Sequence, residues 1–107
     1  MASGEERLRG MLGFAMRAGK LAIGTETVCK AMASKSAPKL VVIASDVSNS
    51  TLKKIVTKCE FYGIKSVQIN IGADELGDLI GKTFSPATVG IMDEGFASQI
   101  LKLSTTH

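Results

Sequence analysis

The chain has 107 residues, 45% hydrophobic and 5% aromatic, and 13 Lys and Arg against 10 Asp and Glu give a formal net charge of +3. That length fits a single domain over residues 1–107, and with no Trp, one Tyr and four Phe the core must be aliphatic. No apolar stretch approaches the ~18 residues of a membrane span, the opening Met1-Ala2-Ser3-Gly4-Glu5-Glu6 is polar rather than a signal peptide, and the mild positive charge permits a polyanionic partner without demanding one.

The elements follow in chain order. Ser3 and Glu6 have capping-box spacing, and Leu8, Met11, Leu12 and Ala15 repeat at i, i+3, i+4 and i+7. This predicts a first helix, ended by Gly19. Leu21 to Ile23 reads as a short strand. A helix carrying Val28, Ala31 and Met32 follows the Gly24 corner, with Thr25 expected as its N-cap. Lys35 to Lys39, with Pro38, is a loop. Leu40-Val41-Val42-Ile43-Ala44 is a continuous apolar run, the pattern of a central strand covered on both faces. Ser45 to Ser50 is a polar turn, and Leu52, Ile55, Val56 and Cys59 set the next helix, stopped by Gly63. Its other face is basic through Lys53, Lys54 and Lys58. Val67, Ile69 and Ile71 alternate with Ser66, Gln68 and Asn70, so they predict a strand. Asp74 to Ile80 is a short helix before Gly81, Lys82 to Ala87 a loop, and Thr88 to Met92 the last strand. Asp93 is placed to cap a final helix through Phe96, Ile100 and Leu101, with a frayed tail over Ser104 to His107. Alternating strands and helices make the fold α/β, with four strands, about five helices, and helices on both faces of a small sheet.

The residues argue against catalysis. The one histidine, His107, ends the chain, so no Ser-His-Asp or Cys-His arrangement exists. Asp46, Asp74, Glu75, Asp78, Asp93 and Glu94 are scattered, and Asp93 and Glu94 read as first-turn helix residues. No metal-ligand spacing, G-x-G-x-x-G or Walker loop occurs, so neither cofactor nor metal is expected. Cys29 and Cys59 lack CxxC spacing and read as reduced, packed cysteines of an intracellular, cytoplasmic protein.

Nucleic-acid binding has more behind it. Gly24 and Thr25 open a helix whose N-terminus presents unpaired N–H groups and partial positive charge. The corner reads either as an ordinary strand-to-helix turn or as a phosphate- or base-binding corner. Arg17, Lys20 and Lys30 bracket it in sequence, and Lys35 and Lys39 follow. Phe84 stands among small and polar residues in a loop expected to be exposed. It either plugs the core edge or stacks on an extruded base.

These residues carry a resemblance. Arg17-Ala18-Gly19-Lys20-Leu21, Gly24-Thr25-(x)4-Lys30-Ala31, the run from Leu40 to Asp46, Lys58-Cys59-(x)3-Gly63-Ile64, Glu75-Leu76-Gly77-(x)3-Gly81 and Asp93-Glu94-Gly95 occur together in order and spacing. From about Leu8 to Leu101 the chain resembles the kink-turn RNA-binding ribosomal protein family of the L-seven-Ae type, most of all its small bacterial members. The resemblance implies a three-layer α/β/α sandwich with a four-stranded mixed sheet. It also implies a non-enzymatic protein that recognises or stabilises kink-turn RNA, a sharply bent RNA with tandem sheared G·A pairs and an extruded nucleotide; a monomer is the default expectation. The ribosome is the expected associated assembly, and no membrane is involved.

In that family the helix after the first strand enters the widened groove with the motif Gly-Thr-Asn-Glu-x-x-Lys. Here the positions are Gly24, Thr25, Glu26, Thr27 and Lys30. Lys30 would reach guanine O6 and N7, Gly24 would allow close approach, Thr25 would cap the helix, and Glu26 and Thr27 would tune base contacts. Arg17 and Lys20 are candidate phosphate contacts. The loop against the extruded nucleotide corresponds to Phe84, Ser85, Pro86, Ala87 and Thr88. Glu26 replaces the usual Asn and Thr27 the usual Glu. Glu26 can accept from a guanine amino group but cannot donate as Asn does. Phe84 and Pro86 stand where small aliphatic residues are usual. Two other readings stay open: a protein-interaction module on the same fold with little kink-turn affinity, and a small α/β enzyme or nucleotide binder using the Gly24 corner.

Overall fold

The structure is a computed structural model and describes residues 4–105. The Ser3 half of the expected capping box and the His107 end of the tail lie outside the described residues. The order of elements is α1 (Gly4–Arg17), β1 (Leu21–Ile23), α2 (Thr25–Met32), β2 (Leu40–Ile43), α3 (Asn49–Tyr62), β3 (Lys65–Gln68), α4 (Ala73–Leu79), β4 (Thr88–Ile91) and α5 (Glu94–Thr105). The expected fold class is what forms: a mixed four-stranded sheet between two helical layers.

The strands lie in the order β1-β4-β2-β3. β4 is antiparallel to both β1 and β2, and β2 is parallel to β3. β2 is buried at every position. Its side chains alternate between two clusters. Leu40, Val42 and Ala44 join Leu8, Leu12, Leu76 and Ile100 beneath α1, α4 and α5. Val41 and Ile43 join Val28, Met32, Ile55 and Cys59 beneath α2 and α3. Each fully buried aliphatic side chain contributes about 1.5–3 kcal/mol of transfer free energy, so β2 draws on both faces at once. Both cysteines are free. Burial, with Cys29 nearby, pushes the Cys59 thiol up, and a hydrogen bond with Ser66 works against this.

Local chemistry ends the helices where the sequence marks them. Gly19, Gly63 and Gly81 take positive φ. At the first, Lys20 N–H donates to Ala15 O and Gly19 N–H to Met16 O, which satisfies the last carbonyls of α1. Asp93 caps α5, its Oδ2 accepting from Phe96 N–H at 3.0 Å.

Four expectations are corrected. The polar turn after β2 is shorter, because Ser48 caps α3 by accepting from Thr51 N–H and the helix begins at Asn49. The ladder of β3 ends at Gln68, because β2 stops at Ile43, opposite it. Burial still alternates beyond that point, since Ile69 and Ile71 cover the α1/α5 cluster. α5 continues through Thr105 rather than fraying at Ser104. Thr25 is the first helical residue and not a cap: the N-cap is Gly24, and no side chain caps α2.

Gly77 positions the loop that precedes β4. A Cβ there would lie 2.4 Å from the Phe84 carbonyl oxygen and 3.3 Å from Pro86 Cδ. The bare backbone of α4 is therefore the shelf on which the 84–86 chain rests. Gly10 in α1 has nothing within 4 Å of such a Cβ. Urea denaturation should accordingly separate two glycine substitutions of opposite sign. Gly77→Ala is expected to lose about 1–3 kcal/mol by overpacking. Gly10→Ala is expected to gain about 0.5–1 kcal/mol from helix propensity.

Candidate functional site

Two segments far apart in sequence meet at one end of the sheet. β1 lies beside β4 with Ile23 opposite Val89. The next residue, Gly24, donates its N–H to Thr88 O at 2.9 Å, and Thr25 Oγ1 donates to Thr88 Oγ1 at 3.1 Å. The start of α2 and the end of the 84–88 loop are thus tied by one backbone and one side-chain hydrogen bond. The Thr25 hydroxyl is spent on this tie, which is why it does not turn back to cap its own helix. Gly24 O accepts from Val28 N–H at 2.9 Å and begins the helical ladder.

Gly24 has φ 99° and ψ 149°, close to a region that only glycine enters without strain. No atom lies within 4 Å of where its Cβ would be. The glycine is therefore required by backbone conformation. The space above it is open, so a ligand can come close to the backbone there. Glu26, Thr27 and Lys30 are all exposed on α2. At i, i+1 and i+4 they leave the corner on the solvent side, with Lys30 about 9 Å along the axis from Gly24. Lys30 forms no ion pair with any described residue.

The second segment divides into display and support. Phe84 is 53% exposed, Ser85 is exposed and Ala87 half-buried. Pro86 is buried, and Thr88 is 0% exposed. Pro86 and Thr88 hold the loop from beneath, through Gly77 and Thr25, and only Phe84, Ser85 and part of Ala87 can face a partner. Ala87 O accepts from Ala44 N–H at 2.9 Å, and Ser85 Oγ donates to Asp74 on α4. β2, α2 and α4 therefore all fix the loop.

Arg17 and Lys20 do not join this corner. Lys20 precedes β1 and Gly24 follows it, so about 13 Å of extended chain separates them. Lys20 instead sits at the other end of β4, its carbonyl accepting from Met92 N–H at 2.8 Å. The Arg17 guanidinium lies over the Phe14 ring, 4.7 Å from its centroid. Their nearness to Gly24 in sequence is undone by the length of β1.

Sequence reasoning missed the supports. Gly77 was visible as a glycine inside a short helix, which costs stability unless packing requires it. Asp46 accepts from Ala73 N–H at 2.9 Å and so holds the start of α4. Nothing local marks it, because its partner lies on another element. Among the described residues no group of three or more His, Cys, Asp or Glu could hold a metal ion, and no helix is long and apolar enough to cross a membrane.

Comparison with known proteins places this geometry among relatives. A model of the ribosomal protein L7Ae/L30e/S12e/Gadd45 family matches residues 6–101. The RNA-binding protein YlxQ of Bacillus subtilis (strain 168) is 36% identical over 93 residues, covering 87% of this chain and 90% of that protein. The large ribosomal subunit protein eL30 of Sulfurisphaera tokodaii is 34% identical over 80 residues, 75% of this chain and 74% of that protein. A solved structure of a protein of unknown function from Bacillus halodurans C has a TM-score of 0.85 at 32% identity, over 92% of this chain and 97% of that one. The Giardia lamblia 15.5kD RNA binding protein has a TM-score of 0.73 at 17% identity, over 91% and 81%, a likeness of fold.

The corner's dependence on one backbone conformation is directly measurable. Gly24→Ala should destabilise the protein by about 1–3 kcal/mol in urea denaturation, although the new methyl meets no neighbour. An unchanged midpoint would mean that the corner relaxes to another conformation.

Proposed function

The chain belongs to the ribosomal protein L7Ae/L30e/S12e/Gadd45 family, and from that premise we propose that it is a non-enzymatic RNA-binding protein that recognises or stabilises a kink-turn. The observation that carries this reading is the meeting of the α2 N-terminus with the 84–88 loop through Gly24, Thr25 and Thr88. A bent RNA presents an opened groove and an extruded nucleotide close together. This end of the sheet offers a helix for the first and an exposed loop for the second.

The roles follow from exposure and chemistry. Lys30 supplies an ammonium for guanine O6 and N7 on the groove edge. Gly24 lets the RNA approach the backbone, and the α2 N-terminus offers unpaired N–H groups to phosphate or base acceptors. Glu26 accepts from a guanine amino group, and the Thr27 hydroxyl either donates or accepts. Phe84 stacks on the extruded base, with Ser85 and Ala87 beside it. Pro86 and Thr88 hold the loop in place and touch no base. Arg17 and Lys20 belong to the opposite end of β1 and meet phosphates outside the kink. We take ribosomal RNA as the candidate target and the monomer as the acting form.

One observation favours a second reading. Glu26 and Thr27, where the family pattern has Asn and Glu, are both exposed on the recognition helix, and a carboxylate there repels phosphates. A protein partner on the same face would tolerate them. Gel-shift titration of a kink-turn RNA, with and without its G·A pairs and at two salt concentrations, separates the readings. Tight binding that collapses without the G·A pairs is expected. Equal, salt-sensitive binding to both RNAs would reduce the site to phosphate attraction, and binding to neither would leave the protein-partner reading. On the kinked RNA Lys30→Ala should cost about 1–3 kcal/mol, the range for one good base contact. An equal loss on plain duplex would make Lys30 a phosphate contact instead.

A further inference from the structure

The outward face of α3 is not used by the corner. This helix turns Ile55 and Cys59 into the core. Lys54, Lys58 and Phe61, spaced i, i+4 and i+7, form one ridge that begins about 100° around the helix from the buried pair, with Lys54 and Phe61 exposed and Lys58 half-buried. Phe61 is 80% exposed and Tyr62 40%. Their rings meet edge to face, with centroids 4.9 Å apart and planes at 89°. Single exposed apolar residues are ordinary. Here a paired aromatic platform ends a line of cations that form no ion pair with any described residue. Glu60 is the one carboxylate in α3, and it lies off the ridge, about 100° around the helix from Phe61.

The position of the ridge completes the case. β2 ends at Ile43, opposite Thr88, so α3 starts at the same end of the sheet as the Gly24 corner. It packs beside α2 over a shared cluster. The ridge therefore leads away from the corner, spanning about 10 Å from Lys54 to Phe61 at 1.5 Å per residue. We infer that the Lys54–Lys58–Phe61 ridge is a second RNA contact, which takes an unpaired strand running on from the RNA held at the corner. The two lysines stand one turn, about 6 Å, apart along the strand's path and meet phosphates as point charges. Phe61 offers an open ring face to a base, a contact that tolerates any sequence because every base has a π-face. The lysines favour a polyanion over a protein patch, whose interface core is depleted in lysine. The inference rests on the RNA-binding reading above for the kind of polymer involved.

The test uses the full chain with three RNAs: the kink-turn alone, the same RNA with an unpaired extension of about twelve nucleotides at either end, and that extension as a free oligonucleotide. Fluorescence anisotropy should show one extended RNA bound about tenfold more tightly than the bare kink-turn. Phe61→Ala and the double change Lys54→Gln, Lys58→Gln should each abolish that gain while leaving affinity for the bare kink-turn unchanged. Because none of the three side chains belongs to the core, circular dichroism melts should match those of the unmodified protein. No gain from either extension, or a gain that survives both variants, overturns the inference and leaves the ridge to a protein contact. If the bare kink-turn is not bound at all, the kink-turn reading fails by itself and the free oligonucleotide decides this one. Binding that Phe61→Ala weakens sustains it, and no such binding overturns it.

Discussion

Everything in this molecule is organised around a strand that must be apolar on both sides. β2 is buried throughout, and its side chains alternate between two clusters lying under different pairs and triples of helices. A one-residue slip in its register would exchange the two sets and mismatch both layers. β2 is therefore held between β4 and β3 in a single alignment, with Leu40 opposite Ile91 and Lys65. That alignment sets which ends of the strands lie together. It brings the end of β2, the beginning of β4 and the exit of β1 to one edge, where the loops gather.

The gathered loops owe their shape to absent side chains. At Gly24 the missing group is a conformational requirement, since φ is positive and the space is open. At Gly77 it is a spatial one, since the Phe84 carbonyl occupies the place of a Cβ. At Gly90 the gap lets Pro38 and Val28 close down on β4, with contacts of 3.2–3.4 Å to the position a Cβ would take. These three glycines set how far α2, α4 and the 84–88 loop come together. The hydrogen bonds of Gly24 and Thr25 to Thr88 then fix the result. A surface built in this way is stiff beneath and open above, which suits recognition of a polymer already bent to a definite shape.

Charge is arranged with less economy than composition suggests. The cations read as one rim around Gly24 divide in the structure. Lys30 stays with the corner, Lys20 goes to the far end of β4, and Arg17 lies along α1 over Phe14. The lysines of α3 gather with two exposed aromatics on a different face. A net charge of +3 thus describes the whole surface poorly, since its separate faces carry different chemistry.

The sequence by itself determined the elements. Periodicity placed the five helices and four strands, and glycines at 19, 63 and 81 marked the stops, because both signals depend on residues within a turn or two of each other. The all-apolar run at Leu40 also declared its central place, since burial on both faces leaves no polar position. Chain-local patterns likewise showed Gly24, Lys30 and Phe84 as residues of interest. Only the tertiary structure decided which of them meet. The pairing of β1 with β4 joined Gly24 to Thr88 and removed Lys20 from the corner. Tertiary packing turned Pro86 and Thr88 into supports, resting on Gly77 of α4 and on Thr25 of α2, and revealed Asp46 as the residue that holds the start of α4. These outcomes depend on contacts between residues tens of positions apart, and such contacts are set by sheet order and register, which no local spacing records.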